Sequence, residues 1–186
     1  MKFKLLFIVF CFCVFSFAQD DLVSEIDVDI SLSTEVSSVF KGLKIINFES
    51  TKLVAKGGFY FVVSHRFGSV KNGFKNFFGL DEAVTHLNFI YGLSENINIS
   101  ASRSSNQKIY ELGSKFRLIN QSQNFPFTVV GYTSVLANTA LSTDNLPKLE
   151  FSHRLSYVAQ LLISRKISEK LSLQLSPTFF HDNYVA

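Results

Sequence analysis

Polar and apolar residues take turns along most of this chain. Phe59, Phe61, Val63 and Phe67 fall on one side of an extended segment, and Tyr60, Ser64 and Arg66 fall on the other. Successive side chains of a strand point to opposite faces, so this pattern predicts strands with one apolar and one polar face. Leu87, Phe89 and Tyr91 oppose His86 and Asn88, and Ile97, Ile99 and Ala101 oppose Asn98, Ser100 and Ser102. A fourth segment sets Tyr110, Leu112, Phe116 and Leu118 against Glu111, Gly113, Lys115 and Arg117. The fifth, 127–137, is more apolar on both faces. The sixth sets Leu155, Tyr157, Ala159, Leu161 and Ile163 against Arg154, Ser156, Gln160 and Ser164. The seventh sets Leu171, Leu173, Leu175 and Phe179 against Ser172, Gln174, Ser176 and Thr178. The expectation is an all-β, antiparallel fold.

Alternation does not say which face is inside. A soluble sandwich or lipocalin-like barrel would turn the apolar side inward. A transmembrane barrel would turn it outward to lipid. Two features favour the membrane version. Arg66, Glu111, Lys115, Arg117 and Arg154 sit on the polar face, as in a wet lumen. The connections also tend to be long and short in turn, as long outer loops and short periplasmic turns produce. The third connection fits this rhythm less well.

The first residues read as an export signal. Lys2 and Lys4 precede an apolar run from Leu5 to Phe17, and Ser16-Phe17-Ala18 offers the small residues that a signal peptidase needs. Cleavage after Ala18 is expected, with a retained anchor as the alternative. Cys11 and Cys13 both lie in the apolar run and lack a lipoprotein pattern, so the chain after the signal has no cysteine for disulfides or metal. Residues 19–40 form an acidic periplasmic leader, with Asp20, Asp21, Glu25, Asp27, Asp29 and Glu35 and no Lys or Arg. Ile26, Val28, Ile30 and Leu32 alternate within it, so a short strand competes with a solvated, partly disordered segment. From Lys41 to Lys56 the pattern is irregular until Gly57-Gly58, and this piece is expected at the barrel mouth or inside it.

Charge narrows the partners. The formal charge of +3 loses two lysines with residues 1–18 and falls to +1, too little for a nucleic-acid face. Of 21 Phe, six leave with the signal and fifteen remain, with six Tyr and only three Pro in all, which is strand-favouring material. The bilayer is the expected partner, together with a periplasmic or surface protein.

Particular stretches carry a resemblance. Lys41-Gly42-Leu43-Lys44-Ile45-Ile46-Asn47, Ser64-His65-Arg66-Phe67-Gly68 and Asn76-Phe77-Phe78-Gly79-Leu80-Asp81 are followed by Tyr91-Gly92 and Arg103-Ser104-Ser105. On these the chain resembles a β-barrel family of Bacteroidota, domain of unknown function 5777, from about residue 40 onward. The resemblance implies an outer-membrane barrel and brings no established activity. It also implies further strands. Bacterial barrels need an even strand number and no lipid-exposed edge, and seven is odd. The expectation is therefore a barrel domain over 41–186, incomplete at its C-terminus. An eighth strand drawn from 41–48 is the alternative.

Candidate chemistry is sparse. Ser64-His65-Arg66 and Ser152-His153-Arg154 repeat one tripeptide at the outer ends of strands. By parity each His faces lipid at the interface and each Arg the lumen. A paired anion site is one reading, since guanidinium suits carboxylate and phosphate. Arginines paired with lumen acids such as Glu111 is the other. With Lys115 and Arg117, the lumen carries four basic residues and would favour anions weakly. Asn76, Phe77, Phe78, Gly79, Leu80 and Asp81 lie in the longest outer loop, expected to order by packing its own Phe residues. Asp81 and Glu82 lack the ligand ladder for Ca²⁺. His86, His153 and His181 have neither metal spacing nor a nucleophile beside them, so neither catalysis nor a cofactor is expected. The functional expectation is a passive channel or a component of a transport assembly; the alternative is a plugged barrel that binds a partner and passes no current.

Overall fold

The structure is a computed structural model that describes residues 36, 38–144 and 146–184. The expected signal peptide and the alternation from Ile26 to Leu32 lie outside the described residues, as does the acidic leader except for 36 and 38–40. Two short strands, β1 (Lys44–Ile45) and β2 (Phe48–Glu49), pair with each other as a hairpin. Six longer strands follow: β3 (Phe59–Arg66), β4 (Val84–Ser94), β5 (Ile97–Ser104), β6 (Ile109–Ile119), β7 (Thr128–Asn138) and β8 (Leu155–Lys166). Last come β9 (Ser172–Leu175) and β10 (Thr178–Asp182). Among the described residues no helix is long and apolar enough to cross a membrane.

β3 to β8 pair in chain order, every pair antiparallel. β9 and β10 both pair with β8, end to end, and so share one position in the sheet. The seven strand positions expected from alternation are all present. The break in the last one has a simple cause. Pro177 lies between β9 and β10 and has no N–H for the ladder, although its carbonyl still accepts from Leu161 N at 3.1 Å. The sheet does not close on itself: β3 is one edge and β9 with β10 the other. Residues 41–48 supply no eighth strand to it, because β1 and β2 pair only with each other.

The two faces of the sheet are inverted relative to a soluble protein. Phe59, Phe61, Phe89, Leu112, Leu118, Leu173 and Phe179 are exposed on the outer face. Phe61 and Phe89 stack there with ring centroids 4.7 Å apart. The residues of alternate parity, Asn88, Asn98, Lys115, Ser134 and Ser164, are buried on the inner face. A water-soluble domain does not display so continuous an apolar surface. A bilayer solvates it, and its thickness suits the 11-residue β4, β6 and β7. On the outer face Gly131 makes room for a ring: a Cβ there would lie 2.2 Å from Phe116 Cε2.

Connections 67–83 and 139–154 leave one end of the sheet, together with the short 105–108. The other end carries 95–96, 120–127 and 167–171. These are called the long-connection end and the short-turn end below.

Candidate functional site

The inner face is not left to water. Residues 38–58, which precede β3, cross it from one side to the other. At the β9 side, Ser172 Oγ donates to the Val39 carbonyl at 3.0 Å, and Gln174 Nε2 to the Glu49 carbonyl at 2.8 Å. Over β8, the hydroxyls of Thr51 and Ser164 meet at 2.7 Å. Leu53 then packs with Val130, Tyr132 and Leu162, all buried, as the one dry cluster of the interior among the described residues. Asn98 of β5, in the amide orientation that satisfies both its ends, donates to the Val54 carbonyl at 3.1 Å and accepts from Val54 N at 2.7 Å. Finally Gly57 N donates to the Gly92 carbonyl at 2.8 Å, and Gly92 N to the Gly58 carbonyl at 2.9 Å. A Cβ on Gly92 would lie 2.1 Å from the Ala55 carbonyl oxygen, so only glycine permits this approach.

Why does an irregular segment sit where water would otherwise be? Its backbone groups need partners, and strand side chains of inward parity provide them. Lys115 provides most. Its ammonium sits 2.8 Å from Glu49 Oε2 and donates to the carbonyls of Ser50 at 3.0 Å, Lys52 at 3.3 Å and Leu43 at 3.4 Å. An ammonium has three protons and no acceptor, so four oxygens converging on it form a complete cage. Lys44 binds the other carboxylate oxygen of Glu49. Burial makes charge on Glu49 costly, but Lys115 and Lys44 outweigh it. The carboxyl, on the hairpin and off the spanning strands, is held below the usual carboxylate range.

Above the hairpin, toward the long-connection end, lies a cavity of about 610 Å³. The hairpin residues Lys44, Ile46 and Phe48 line one side of it, and Arg66, His86, Ser104 and Gln160 are among those that line the rest. Glu111 also borders it, accepting from Tyr132 Oη at 2.7 Å and from Ser102 Oγ at 3.3 Å.

The four basic residues expected to share the lumen are therefore in four different situations. Arg66 borders the cavity. Lys115 is buried in its cage below the hairpin. Arg117 lies toward the short-turn end of β6, its amide donating to the Asn96 carbonyl at 2.8 Å. Arg154 is not on strand six at all: Phe151–Arg154 is a 3₁₀ turn before β8, and Arg154 Nη1 donates to the Leu141 carbonyl at 2.6 Å, bordering a separate cavity with Gln107 and Tyr184. The two Ser-His-Arg tripeptides thus do not form one paired site, and Glu111 takes hydroxyl donors rather than an arginine. His65 stays on the outer parity, its Nδ1 3.1 Å from Thr85 Oγ1. His153 turns inward on its own backbone, accepting from Glu150 N at 3.1 Å.

The loop 67–83 is ordered by its own groups. Asn76 Nδ2 donates to the Ser69 carbonyl at 3.1 Å, and its Oδ1 accepts from Gly79 N at 3.1 Å. Gly79, at φ +88°, lets Gly68 N reach its carbonyl at 2.8 Å. Phe77 and Phe78 adopt left-handed φ values of 46° and 56°, and Phe78 meets Phe74 edge-on at 4.9 Å. Leu80 accepts from Ala83 N at 3.0 Å, while Asp81 points to solvent.

Sequence reasoning missed Glu49, Leu53, Asn98 and Tyr132. One signal was available: a lysine in mid-strand needs a counter-ion, and Glu49 is the only acid in 41–58. The family described as a membrane bound β-barrel domain, domain of unknown function 5777, matches residues 40–186. No curated protein and no solved structure matches the chain.

Proposed function

Since this chain belongs to the family of membrane-bound β-barrel domains just described, we propose that it works in an outer membrane as a stoppered barrel: a wall that carries surface loops to a protein partner, its inner face filled by the chain itself so that solutes have no through-path. The observation that carries this reading is the crossing of the inner face by 38–58, tied to β9, β8, β6, β5 and β4 by hydrogen bonds and an ion pair. A stoppered lumen of this kind is the alternative function that the sequence left open. The export signal read at residues 1–18 supports the outer membrane as the address. The exposed Phe74, Phe77 and Leu80 of the longest connection support contact with a partner.

An anion-preferring channel is less well supported. Lys115 is neutralised by Glu49, and Arg154 spends its donors on carbonyls. Selectivity needs a ring of like charge around an open path, and the basic residues do not make one. The test is electrical. The refolded chain is expected to pass no steady current in a planar bilayer, and Lys115→Met, which frees the segment, to pass current in bursts. A steady open pore from the unaltered chain overturns the proposal.

A further inference from the structure

The cavity above the hairpin is lined unevenly, and the unevenness has chemical content. Its acids are already supplied with donors: Glu49 lies between Lys44 and Lys115, and Glu111 accepts from Tyr132 and Ser102. Its arginine is not supplied with acceptors. The Arg66 guanidinium makes no hydrogen bond or ion pair with any side chain or carbonyl among the described residues. Arg66 ends β3 two residues beyond Ser64, the register partner of His86. A planar, five-donor group facing a cavity without a partner is suited to an anion from outside the chain.

The other side of the cavity is apolar. Ile46, at the turn of the β1–β2 hairpin, is 90% exposed, and Phe48, which opens β2, is 60% exposed. Ile46 sits at φ +56°, in the left-handed region that a β-branched residue occupies only under strain. A glycine would suit that turn without strain. The strained side chain therefore presents a methyl-rich knob to the cavity, whose apolar lining Ile109, Leu136 and Val158 extend. Ser64, Ser104 and Gln160 are among the lining groups that both donate and accept.

We propose that this cavity is a binding site for a small amphiphilic anion, its carboxylate or phosphate against Arg66 and its apolar part on Ile46 and Phe48. A volume of about 610 Å³ fits one small molecule. The site deepens the stoppered-barrel reading and rests on it, because the hairpin that stops the lumen is also the floor of the cavity.

Binding is tested on the whole chain in nanodiscs of neutral lipid, with 4-phenylbutyrate as the probe and 4-phenylbutylamine as its cationic match. The acid is expected to bind and the amine to bind at least about tenfold more weakly, the order that one charge-assisted hydrogen bond contributes. Arg66→Gln is expected to weaken the acid about tenfold. Ile46→Gly, which suits the turn and leaves the hairpin formed, is expected to weaken it about fivefold. Loss of probe binding in discs that carry phosphatidylglycerol identifies a lipid head group as the occupant, and retention identifies a soluble solute; both uphold the anion site. Equal binding of acid and amine, or unchanged binding by Arg66→Gln, overturns it. If the same preparation passes no current, that failure concerns the cavity alone; if it conducts, the stopper falls with it.

Discussion

Two segments flank β3, and neither belongs to the large sheet. The one before it, 38–58, has few aromatic residues and lies on the inner face, with Val39, Ser50, Thr51, Leu53 and Val54 buried. The one after it, 67–83, has four Phe and holds Phe74, Phe77 and Phe78 out in the open. In a soluble domain the aromatic segment would be the buried one. Here the order is reversed because a barrel's inside is its polar side. The inner segment is held by groups from the strands, with Lys115, Asn98 and Gln174 pairing its backbone. The outer one is held by itself, through Asn76 and two glycines. The stopper should therefore respond to changes in distant strands, and the loop only to changes within its own length.

That contrast can be broken in four places. The largest effect is expected from Lys115→Met. It leaves three carbonyls without their donor and Glu49 with Lys44 alone in a buried site, a loss of about 3–5 kcal/mol. Trypsin cleavage after Lys41 and Lys52 should accelerate by two orders of magnitude or more, while Lys71 and Lys75 in the outer loop keep their rate. Equal protection of the stopper in variant and parent would refute the cage. Next comes Gly92→Ala, whose methyl meets the Ala55 carbonyl oxygen at 2.1 Å. Backbone must move, at about 1–3 kcal/mol, and the Gly57 amide should exchange its hydrogen faster. Unaltered exchange there would mean that residue 55 does not lie against residue 92.

Asn76→Ala should cost about 1–2 kcal/mol, confined to the loop. The Gly79 amide is the reporter, and any loosening of Gly57 along with it would erase the distinction between the two segments. The smallest effect is expected from acid. Glu49 has a folded-state pKa below its unfolded value near 4.5, so its contribution is whole above that pH and is lost as pH falls through the folded value. Stopper protection should hold from pH 7 to about pH 5 and decline only below it. In Lys115→Met that decline should shrink, and a decline of undiminished size would place its origin elsewhere.

How much of this could be read along the chain depends on the solvent each residue meets. Strands β3 to β8 were legible because lipid on one side and polar groups on the other impose a period of two on every residue between them. Phe59, Phe61 and Val63 needed no further context. The break at Pro177 was hidden because the alternation runs on through Leu175 and Phe179 as if nothing intervened. The stopper was legible only as an irregular piece inside or at the mouth. Its backbone is satisfied by side chains, and that leaves no periodic mark. The charge of Lys115 and its inward parity could be read, but its cage is made of carbonyls, which are the same in every sequence. Arg154 was misplaced because it extends strand six in parity and yet turns its guanidinium back on the connection that precedes it.

The stopper is also a statement about order in time. Val39 meets Ser172 across 133 positions of chain, and Thr51 meets Ser164 across 113. What emerges early during synthesis waits for what emerges late. Contacts of such long range slow folding, since the entropy of closing the loop is lost before any contact repays it. The early segment gains these partners only once the late strands have joined the wall. A chain built in this way carries its own template, and β8 and β9 are the last strands to be fixed on it.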